Sequence, residues 1–380
     1  MKIINRLADR FAKVQPLPEG VYHKQDMQDD QPYRVHLQLK PDGSGIFILN
    51  ASIVLQLNLT AAEFAYHFIR GTEAEETVKQ VAARYRVSKD IARQDYRDFL
   101  DRIETLISTP DLDPVSFLEF ERIAPHSADL SSPLRLDCAL TYRLRPDSNA
   151  EYAPTKRVER ELTTDEWRLI LDKAWQVGIP HVTFTGGEAT LREDLPDLIA
   201  HAEKNGQVCG LLTDGLQLLD KDYLHLVLQT GLDHILFLLQ PENDNSWAAL
   251  EQVMAEDIFV TVHLTLNKDN ITNTEEILER LAKFNVTSLS LTSADPALRD
   301  RFDLLRDKAA DLGLTLKFDL PVPYSASNPV VYEAQEAAIP EGAGKAWLYV
   351  EPDGDVLPSQ GSAESILGNF LRDEWNKIYT

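Results

Sequence analysis

The chain has 380 residues, enough for two or three domains, and 43% of them are hydrophobic, as in an ordinary globular protein. The formal net charge of −23 disfavours nucleic acid as a partner, because an acidic surface repels a phosphate backbone, and favours basic or amphipathic peptides. Two cysteines, Cys138 and Cys209, are too few and too far apart for a disulfide framework or a metal site. No apolar run is long enough to span a membrane, so we expect a cytoplasmic protein.

The first part of the chain predicts a small sheet followed by helices. Segment 33–40 alternates like a strand, and 46–58 reads as two strands joined at residues 50–52. Three helices are predicted over 60–70, 72–86 and 88–107. Thr60 is the expected N-cap of the first helix, with Glu63 three residues later. Residues 1–14 are typical of a short amphipathic helix.

From residue 134 the pattern changes to six units of one strand and one helix each, ending near residue 320. The strands are apolar on both faces, which is typical of a parallel sheet covered by helices. The fold class is therefore α/β, and six units favour a partial (β/α)6 barrel. Residues 111–133, rich in Pro, Ser and Asp, are expected to form a linker. In such folds the reactive groups lie at the carboxyl ends of the strands.

The second strand of this region ends in the sequence TFTGGEAT, residues 183–190. Gly186 and Gly187 allow the backbone to pass close to a ligand, and Glu188 follows as an acid. The alternative is a tight strand-to-helix turn with an acid that caps the helix. The loop after the first strand, where a second reactive loop is expected, reads TYRLRPDSNAEY, residues 141–152.

These two motifs resemble those of radical S-adenosylmethionine (SAM) enzymes, which carry C-x3-C-x2-C after the first strand and Gly-Gly-Glu after the second. In that family three thiolates hold a four-iron cluster, one iron receives the amino and carboxylate groups of SAM, and the glutamate contacts the SAM amino group. Thr141, Tyr142, Arg143 and Tyr152 match the frame of the first loop.

The three cluster-ligand positions of that frame hold Leu144, Ser148 and Glu151. A leucine offers no ligand, serine is a hard alcohol, and one carboxylate cannot hold a cluster that requires soft thiolates. Leu, Ser and Glu together favour natural divergence over deliberate mutation. We therefore expect no metal and no cofactor, with SAM binding the disfavoured alternative. The residues left of a SAM pocket would be Gly186, Gly187, Glu188 and Tyr152.

Residues 321–380 resemble a truncated form of the SPASM extension of peptide-modifying radical-SAM enzymes. The family's cysteines for auxiliary clusters would fall at Glu341 and Ser359. The resemblance implies that this auxiliary site has been lost as well.

Residues 1–110 resemble the small PqqD-like peptide chaperone of pyrroloquinoline-quinone biosynthesis, a winged-helix-like α+β fold that is also the leader-peptide recognition element of many peptide-modifying systems. Such domains bind a precursor's leader as an added strand beside their third helix. The expected groove lies between 52–58 and the third helix, with candidate contacts at Val54, Gln56, Tyr96, Phe99, Leu100 and Ile103. The alternative is a packing domain with no ligand.

The favoured function is a non-catalytic protein derived from a radical-SAM peptide maturase. It would bind a precursor or leader peptide and, as a further partner, an active radical-SAM maturase. One alternative is an enzyme of changed chemistry that uses the former SAM pocket without an iron–sulfur cluster. The other is a structural protein whose pockets are vestigial.

Overall fold

The computed structural model describes residues 17–28, 31–109, 130–145, 158–293, 298–317, 320–322, 341–362 and 365–379. The helix expected at 1–14 and most of the expected linker lie outside the described residues. The chain divides into two compact units, which we call unit 1 (residues 1–132 with 176–180) and unit 2 (residues 133–175 with 181–380). Within the described residues, no helix has both the length and the apolar character that crossing a bilayer requires.

Unit 1 contains an antiparallel sheet in the order β1-β2-β3-β4. Its strands are β1 Gly20–Gln28, β2 Gln31–Leu39, β3 Gly45–Leu49 and β4 Ile53–Leu57. The last three correspond to the predicted strands, whereas β1 was not anticipated because most of its positions are polar or exposed. The β3–β4 turn places Asn50 and Ala51 at φ 49° and 54°, which brings β4 back along β3.

Three helices follow in unit 1: α1 Leu59–Ile69, α2 Ala74–Tyr85 and α3 Lys89–Ser108. The predicted N-cap at Thr60 is wrong, because the Asn58 side chain accepts a hydrogen bond from the Ala61 N–H at 3.0 Å and caps α1. Glu63 takes no part in this cap, since its buried carboxylate accepts a hydrogen bond from Arg84 at 2.9 Å.

Unit 2 is built on a ten-stranded sheet, counted over the described residues, in the order β11-β10-β9-β8-β7-β6-β5-β12-β13-β14. Its strands are β5 Arg135–Thr141, β6 His181–Gly186, β7 Val208–Thr213, β8 His234–Leu238, β9 Phe259–Leu266, β10 Ser288–Ser293, β11 Thr315–Lys317, β12 Trp347–Val350, β13 Asp355–Leu357 and β14 Gly368–Asn369. Strands β5 to β11 pair in parallel, and β12 pairs in parallel with β5. The predicted α/β class with a mostly parallel sheet is confirmed, and closure into a partial barrel stays a prediction.

Helices alternate with the parallel strands, as the sequence pattern predicts. They are α4 Thr164–Gln176, α5 Leu195–Asn205, α6 Lys221–Gln229, α7 Asp244–Met254, α8 Thr274–Lys283 and α9 Arg299–Asp311, and the short α10 Trp375–Ile378 follows the tail strands. Side chains along a strand alternate in direction. Cys138 and Phe184 therefore lie on one face of the sheet, which is apolar. Asp137 and Thr183 lie on the other face, where the Thr183 hydroxyl donates a hydrogen bond to Asp137 at 2.5 Å.

The tail extends the sheet of unit 2. Strand β12 pairs with β5 from Trp347 opposite Arg135 to Val350 opposite Cys138. Glu351 therefore lies beside the carboxyl end of β5, where its buried carboxylate accepts a hydrogen bond from the Tyr142 hydroxyl at 2.7 Å.

Candidate functional site

The carboxyl ends of β5 and β6 are joined directly through their backbones. Gly187 N–H donates to Thr141 O at 2.8 Å, and Glu188 N–H donates to Arg143 O at 3.0 Å. The two predicted motifs therefore meet at one edge of the sheet, as parallel strands require.

Both glycines of the second motif are required by this close approach. Gly186 has φ +138°, and a Cβ there would lie 2.0 Å from Thr141 O. A Cβ at Gly187 would lie 2.4 Å from Arg143 O. The sequence interpretation was a close approach of the backbone to a ligand, but what approaches in the structure is the loop after β5.

Glu188 is buried and receives hydrogen bonds on both carboxylate oxygens. Oε1 accepts from Thr190 N–H at 3.0 Å, from the Thr190 hydroxyl at 2.6 Å and from the Thr213 hydroxyl at 2.7 Å. Oε2 accepts from Asp214 N–H at 2.8 Å. Through Thr190 this carboxylate also caps the short 3-10 helix Ala189–Leu191, so the capping alternative from the sequence describes part of its role.

Burial, followed by the negative charge of Asp214, raises the pKa of Glu188 from 4.5 to about 7, and the hydrogen-bond donors act in the opposite direction. At neutral pH this carboxyl is therefore divided between its two protonation states. A carboxyl whose pKa lies near the surrounding pH can donate or accept a proton at a small free-energy cost.

Arg145 holds the end of β7 to the loop after β5. Its Nε donates to Asp214 Oδ2 at 2.8 Å, and its Nη2 donates to Asp214 Oδ1 at 3.2 Å. The Tyr223 hydroxyl is buried and has no hydrogen-bond partner among the described residues. Burial, followed by the negative charge of Glu188, raises the pKa of this hydroxyl, and the positive charge of Arg145 lowers it. Sequence reasoning missed these three residues, because Asp214 and Tyr223 belong to no motif and Arg145, although it lies in the loop 141–152, is not one of the positions that match the family.

Leu144, the first former cluster-ligand position, packs against an apolar cluster of Ala139, Tyr142, Tyr349 and Leu357. Ser148, Glu151 and Tyr152 lie outside the described residues. The chain's only thiols, Cys138 and Cys209, are fully buried within strands, and burial raises the pKa of Cys138 well above its usual range. The donors present therefore do not fit a cluster held by three thiolates at this loop.

The two tail positions at which the resemblance expects cysteines for auxiliary clusters, Glu341 and Ser359, also offer no thiolate. The Ser359 hydroxyl lies 2.8 Å from the Ser362 hydroxyl, and Glu341 is exposed. Over the described part of the chain, no group of three or more His, Cys, Asp or Glu side chains has an arrangement that holds a metal ion.

A polar network on β9 and β10 was also missed by sequence reasoning. His263 is fully buried, with Nδ1 3.0 Å from the Ser290 hydroxyl and Nε2 3.1 Å from the hydroxyls of Thr265 and Thr292. Burial lowers the pKa of His263 to about 3, so the ring is neutral at physiological pH. The alternation of Thr and Ser along the two strands is the signal that indicates this polar face.

In unit 1, the predicted peptide contacts lie in different surroundings. Tyr96 and Ile103 are buried in two apolar cores, whereas Phe99 and Leu100 are half-buried on α3. On β4, Gln56 is exposed and Val54 is half-buried, and both lie on the face opposite Leu55 and Leu57, which enter the core.

Comparison with known proteins gives relatives that modify peptides. No family model matches the chain. It is 28% identical over 226 residues to a PqqA peptide cyclase of Streptomyces rochei, covering 53% of this chain and 62% of the cyclase. It is 24% identical over 267 residues to the PqqA peptide cyclase of Granulibacter bethesdensis, covering 63% of this chain and 70% of that protein. The first alignment thus spans less than two thirds of the cyclase.

Among solved structures, Streptococcus suis SuiB bound to its precursor peptide SuiA has a TM-score of 0.60 at 14% identity, covering 94% of this chain and 88% of SuiB. SuiB bound to S-adenosylmethionine has a TM-score of 0.58 at 15% identity, covering 91% and 87%. These matches show a shared fold. The predicted resemblance to peptide maturases is confirmed to this extent.

The expectation that no cofactor is involved is contradicted by this comparison, because SuiB, which shares the fold, binds S-adenosylmethionine. That expectation rested only on the absence of cysteines at the three cluster-ligand positions of the loop after β5. The Gly-Gly-Glu edge, which the resemblance also assigns to SAM, is intact in this chain and positioned at the strand ends.

Proposed function

We propose that this protein binds an extended precursor peptide at the open edge of β4, as part of a peptide-modification system, and holds SAM as a ligand without cleaving it reductively. The observation that carries the proposal is the strand order β1-β2-β3-β4, which leaves β4 at an edge of the sheet within the described residues. An open edge strand presents unpaired N–H and C=O groups, which an added peptide strand satisfies.

The surroundings of β4 support this role. Phe99, half-buried on α3, packs against the apolar core that Leu55 and Leu57 of β4 enter, which places apolar side-chain surface beside this strand. The net charge of −23 favours peptides with basic residues. The structural neighbour SuiB has been solved with its own precursor peptide, and the curated relatives are named as peptide cyclases.

Leu144 supports the non-radical part of the proposal. Its side chain belongs to an apolar cluster and offers no electron pair to iron. A peptide-binding protein of this kind supplies recognition, and an active maturase partner supplies the chemistry.

The proposal is tested by calorimetry of the full chain against synthetic peptides encoded beside its gene. We expect binding with Kd below roughly 100 μM, about −5.5 kcal/mol. Phe99→Leu, at a half-buried side chain that packs against the core with Leu55 and Leu57 of β4, should weaken binding at least about threefold, or about 0.65 kcal/mol. Ile91→Ala, at an exposed apolar side chain of the same helix, is the matched control and should leave Kd unchanged. The proposal is wrong if no such peptide binds, or if both variants act equally.

The pKa of Glu188 favours a second candidate, an enzyme of changed chemistry that uses SAM without a cluster. A carboxyl with a pKa of about 7 is suited to general acid–base catalysis at neutral pH. Mass spectrometry of the bound peptide after incubation with SAM, without iron or reductant, distinguishes the two candidates. A mass increase abolished by Glu188→Gln supports the enzyme, and an unchanged peptide supports the binding protein.

A further inference from the structure

Two histidines of unit 2 meet at the amino-terminal ends of the parallel strands, the opposite end from the Gly-Gly-Glu edge. His181 is the first residue of β6 and His234 the first of β8, and their Nε2 atoms lie 3.3 Å apart across β7. Gly210 of β7 leaves room for this contact, because a Cβ there would lie 2.3 Å from His234 Nε2. Both histidines are half-buried, so the pair is not sealed from solvent.

The geometry of the pair differs from that of an ordinary hydrogen bond. The ring centroids lie 4.9 Å apart and the ring planes are inclined by 62°. Two rings whose Nε2 atoms pointed at each other along one line would have centroids farther apart than this, so the nitrogens converge. Their separation exceeds the usual range of roughly 2.7–3.2 Å for a hydrogen bond. It matches the distance of about 3.3 Å between two nitrogens that bind one tetrahedral metal ion, each at about 2.0 Å.

The charges beside the pair leave room for a cation. Arg135 lies opposite His181 in the register of β5 and β6, and its positive charge by itself would oppose a metal ion. Asp137 offsets this charge, because it accepts hydrogen bonds from Arg135 Nε at 2.8 Å and Nη2 at 3.1 Å. The ion pair also occupies the Asp137 carboxylate, so we assign the remaining ligand positions to water.

The two rings are unprotonated at neutral pH. Burial, reinforced by the charge of Arg135, lowers the pKa of His234 to about 4, and the charge of Asp233 acts in the opposite direction. Burial, followed by the charges of His234 and Arg135, lowers the pKa of His181 well below its usual range. An imidazole nitrogen binds a metal ion only when it carries no proton, so both rings are in the form that binding requires.

We infer that His181 and His234 bind one first-row transition-metal ion, such as Zn²⁺ or Cu²⁺, through their Nε2 atoms. Imidazole is a favoured ligand of both ions. With water in the remaining positions, the bound ion stays open to a further ligand. The alternative is a long N–H···N hydrogen bond between two neutral rings with no affinity for metal. The inference goes beyond the proposed peptide binding, which concerns unit 1 and does not depend on it.

The test is calorimetry of the full chain, freed of metal with a chelator and dialysed, against Zn²⁺ alone. We expect one equivalent to bind with Kd below about 100 μM. His234→Gln should weaken this binding at least about tenfold, because one of the two protein ligands is lost. Gly210→Ala keeps both imidazoles and should also weaken it, because the added Cβ displaces the His234 ring. His201→Gln is the matched control, since His201 pairs with Asp172 at 2.6 Å elsewhere in unit 2, and Kd should stay within about twofold.

Electron paramagnetic resonance of the wild type loaded with one equivalent of Cu²⁺ keeps the test decisive if the variants do not fold. The hyperfine pattern should show two nitrogen ligands, and labelling of histidine with ¹⁵N should change that pattern. No stoichiometric binding of Zn²⁺ at about 100 μM, an equal effect of His201→Gln, or fewer than two nitrogens on the copper would overturn the inference. A peptide titration of the same metal-free sample shows separately whether the proposed function holds.

Discussion

Asp214 N–H donates to Glu188 Oε2 at 2.8 Å, so the end of β7 is joined to the end of β6 through a buried carboxylate. The Asp214 side chain in turn receives Arg145 from the loop after β5. Three consecutive strands of the parallel sheet are therefore connected at their carboxyl ends by one carboxylate and one ion pair. This is the edge at which α/β folds bind their ligands.

The pKa of Glu188 predicts a pH-dependent stability. Because that pKa rises from 4.5 to about 7 on folding, the folded protein keeps a proton that the unfolded chain has released over this interval. The contribution of Glu188 is therefore fully present below about pH 4.5 and is lost as the pH rises through about 7. We expect the free energy of unfolding, relative to Glu188→Gln, to fall by about 3 kcal/mol between pH 4.5 and 8.

Urea denaturation at a series of pH values measures this difference. Glu256→Gln, at an exposed glutamate, is the control and should change by less than about 0.5 kcal/mol over the same range. A difference between wild type and Glu188→Gln that stays constant with pH would show that burial does not govern this carboxyl.

Gly186→Ala should destabilise the protein severely. The added Cβ would lie 2.0 Å from Thr141 O, at a φ of +138° that side chains rarely adopt. We expect a loss of about 3 kcal/mol or more in the free energy of unfolding, or no folded protein. Gly313→Ala is the matched control, because Gly313 also has positive φ, +76°, but has no atom within 4 Å of an added Cβ. That change should cost about 1 kcal/mol, and equal effects of the two substitutions would contradict the close approach.

The sequence predicts the layout of unit 2 well because its signals are local and repeated. Each parallel strand from β5 to β10 is followed by a helix, and Gly-Gly-Glu lies at the end of β6 as expected. The Asp353–Gly354 turn between β12 and β13 follows from its residue types. The N-cap of α1 was misplaced by two residues because Asn58 and Thr60 are both good capping residues, and only the bond to Ala61 N–H decides between them.

The contacts of the candidate site were less predictable. Nothing in the sequence indicates that Arg145 reaches Asp214, 69 residues later, or that the Tyr223 hydroxyl is buried. Such contacts depend on which residues of neighbouring strands lie opposite each other, and the hydrophobic periodicity of the sequence does not predict this register. The expectation of no cofactor was wrong because it rested only on the missing thiolates of the loop after β5. It left out the Gly-Gly-Glu edge at the end of β6, which this chain retains.

The absence of thiolates at the loop after β5 predicts that SAM is not cleaved reductively. After anaerobic treatment with iron and sulfide, then reductant, we expect no 5′-deoxyadenosine above background, because Leu144 is packed in an apolar cluster and donates no ligand. Liquid chromatography with a radical-SAM enzyme treated in parallel provides the positive control. Repeated turnover would refute the non-radical part of the proposal.

Hydrogen–deuterium exchange of the full chain, with and without the precursor peptide, measures whether the peptide adds to β4 as a strand. Addition of a strand should slow exchange at the edge-facing amides of 53–57 by at least about tenfold, because they become hydrogen-bonded. Strand β1, the other edge of the same sheet in the described residues, is the internal control and should exchange at an unchanged rate. Slower exchange at β4 with unchanged exchange at β1 is the predicted result. Protection at β1 instead, or at neither edge at saturating peptide, would show that the peptide does not add to β4.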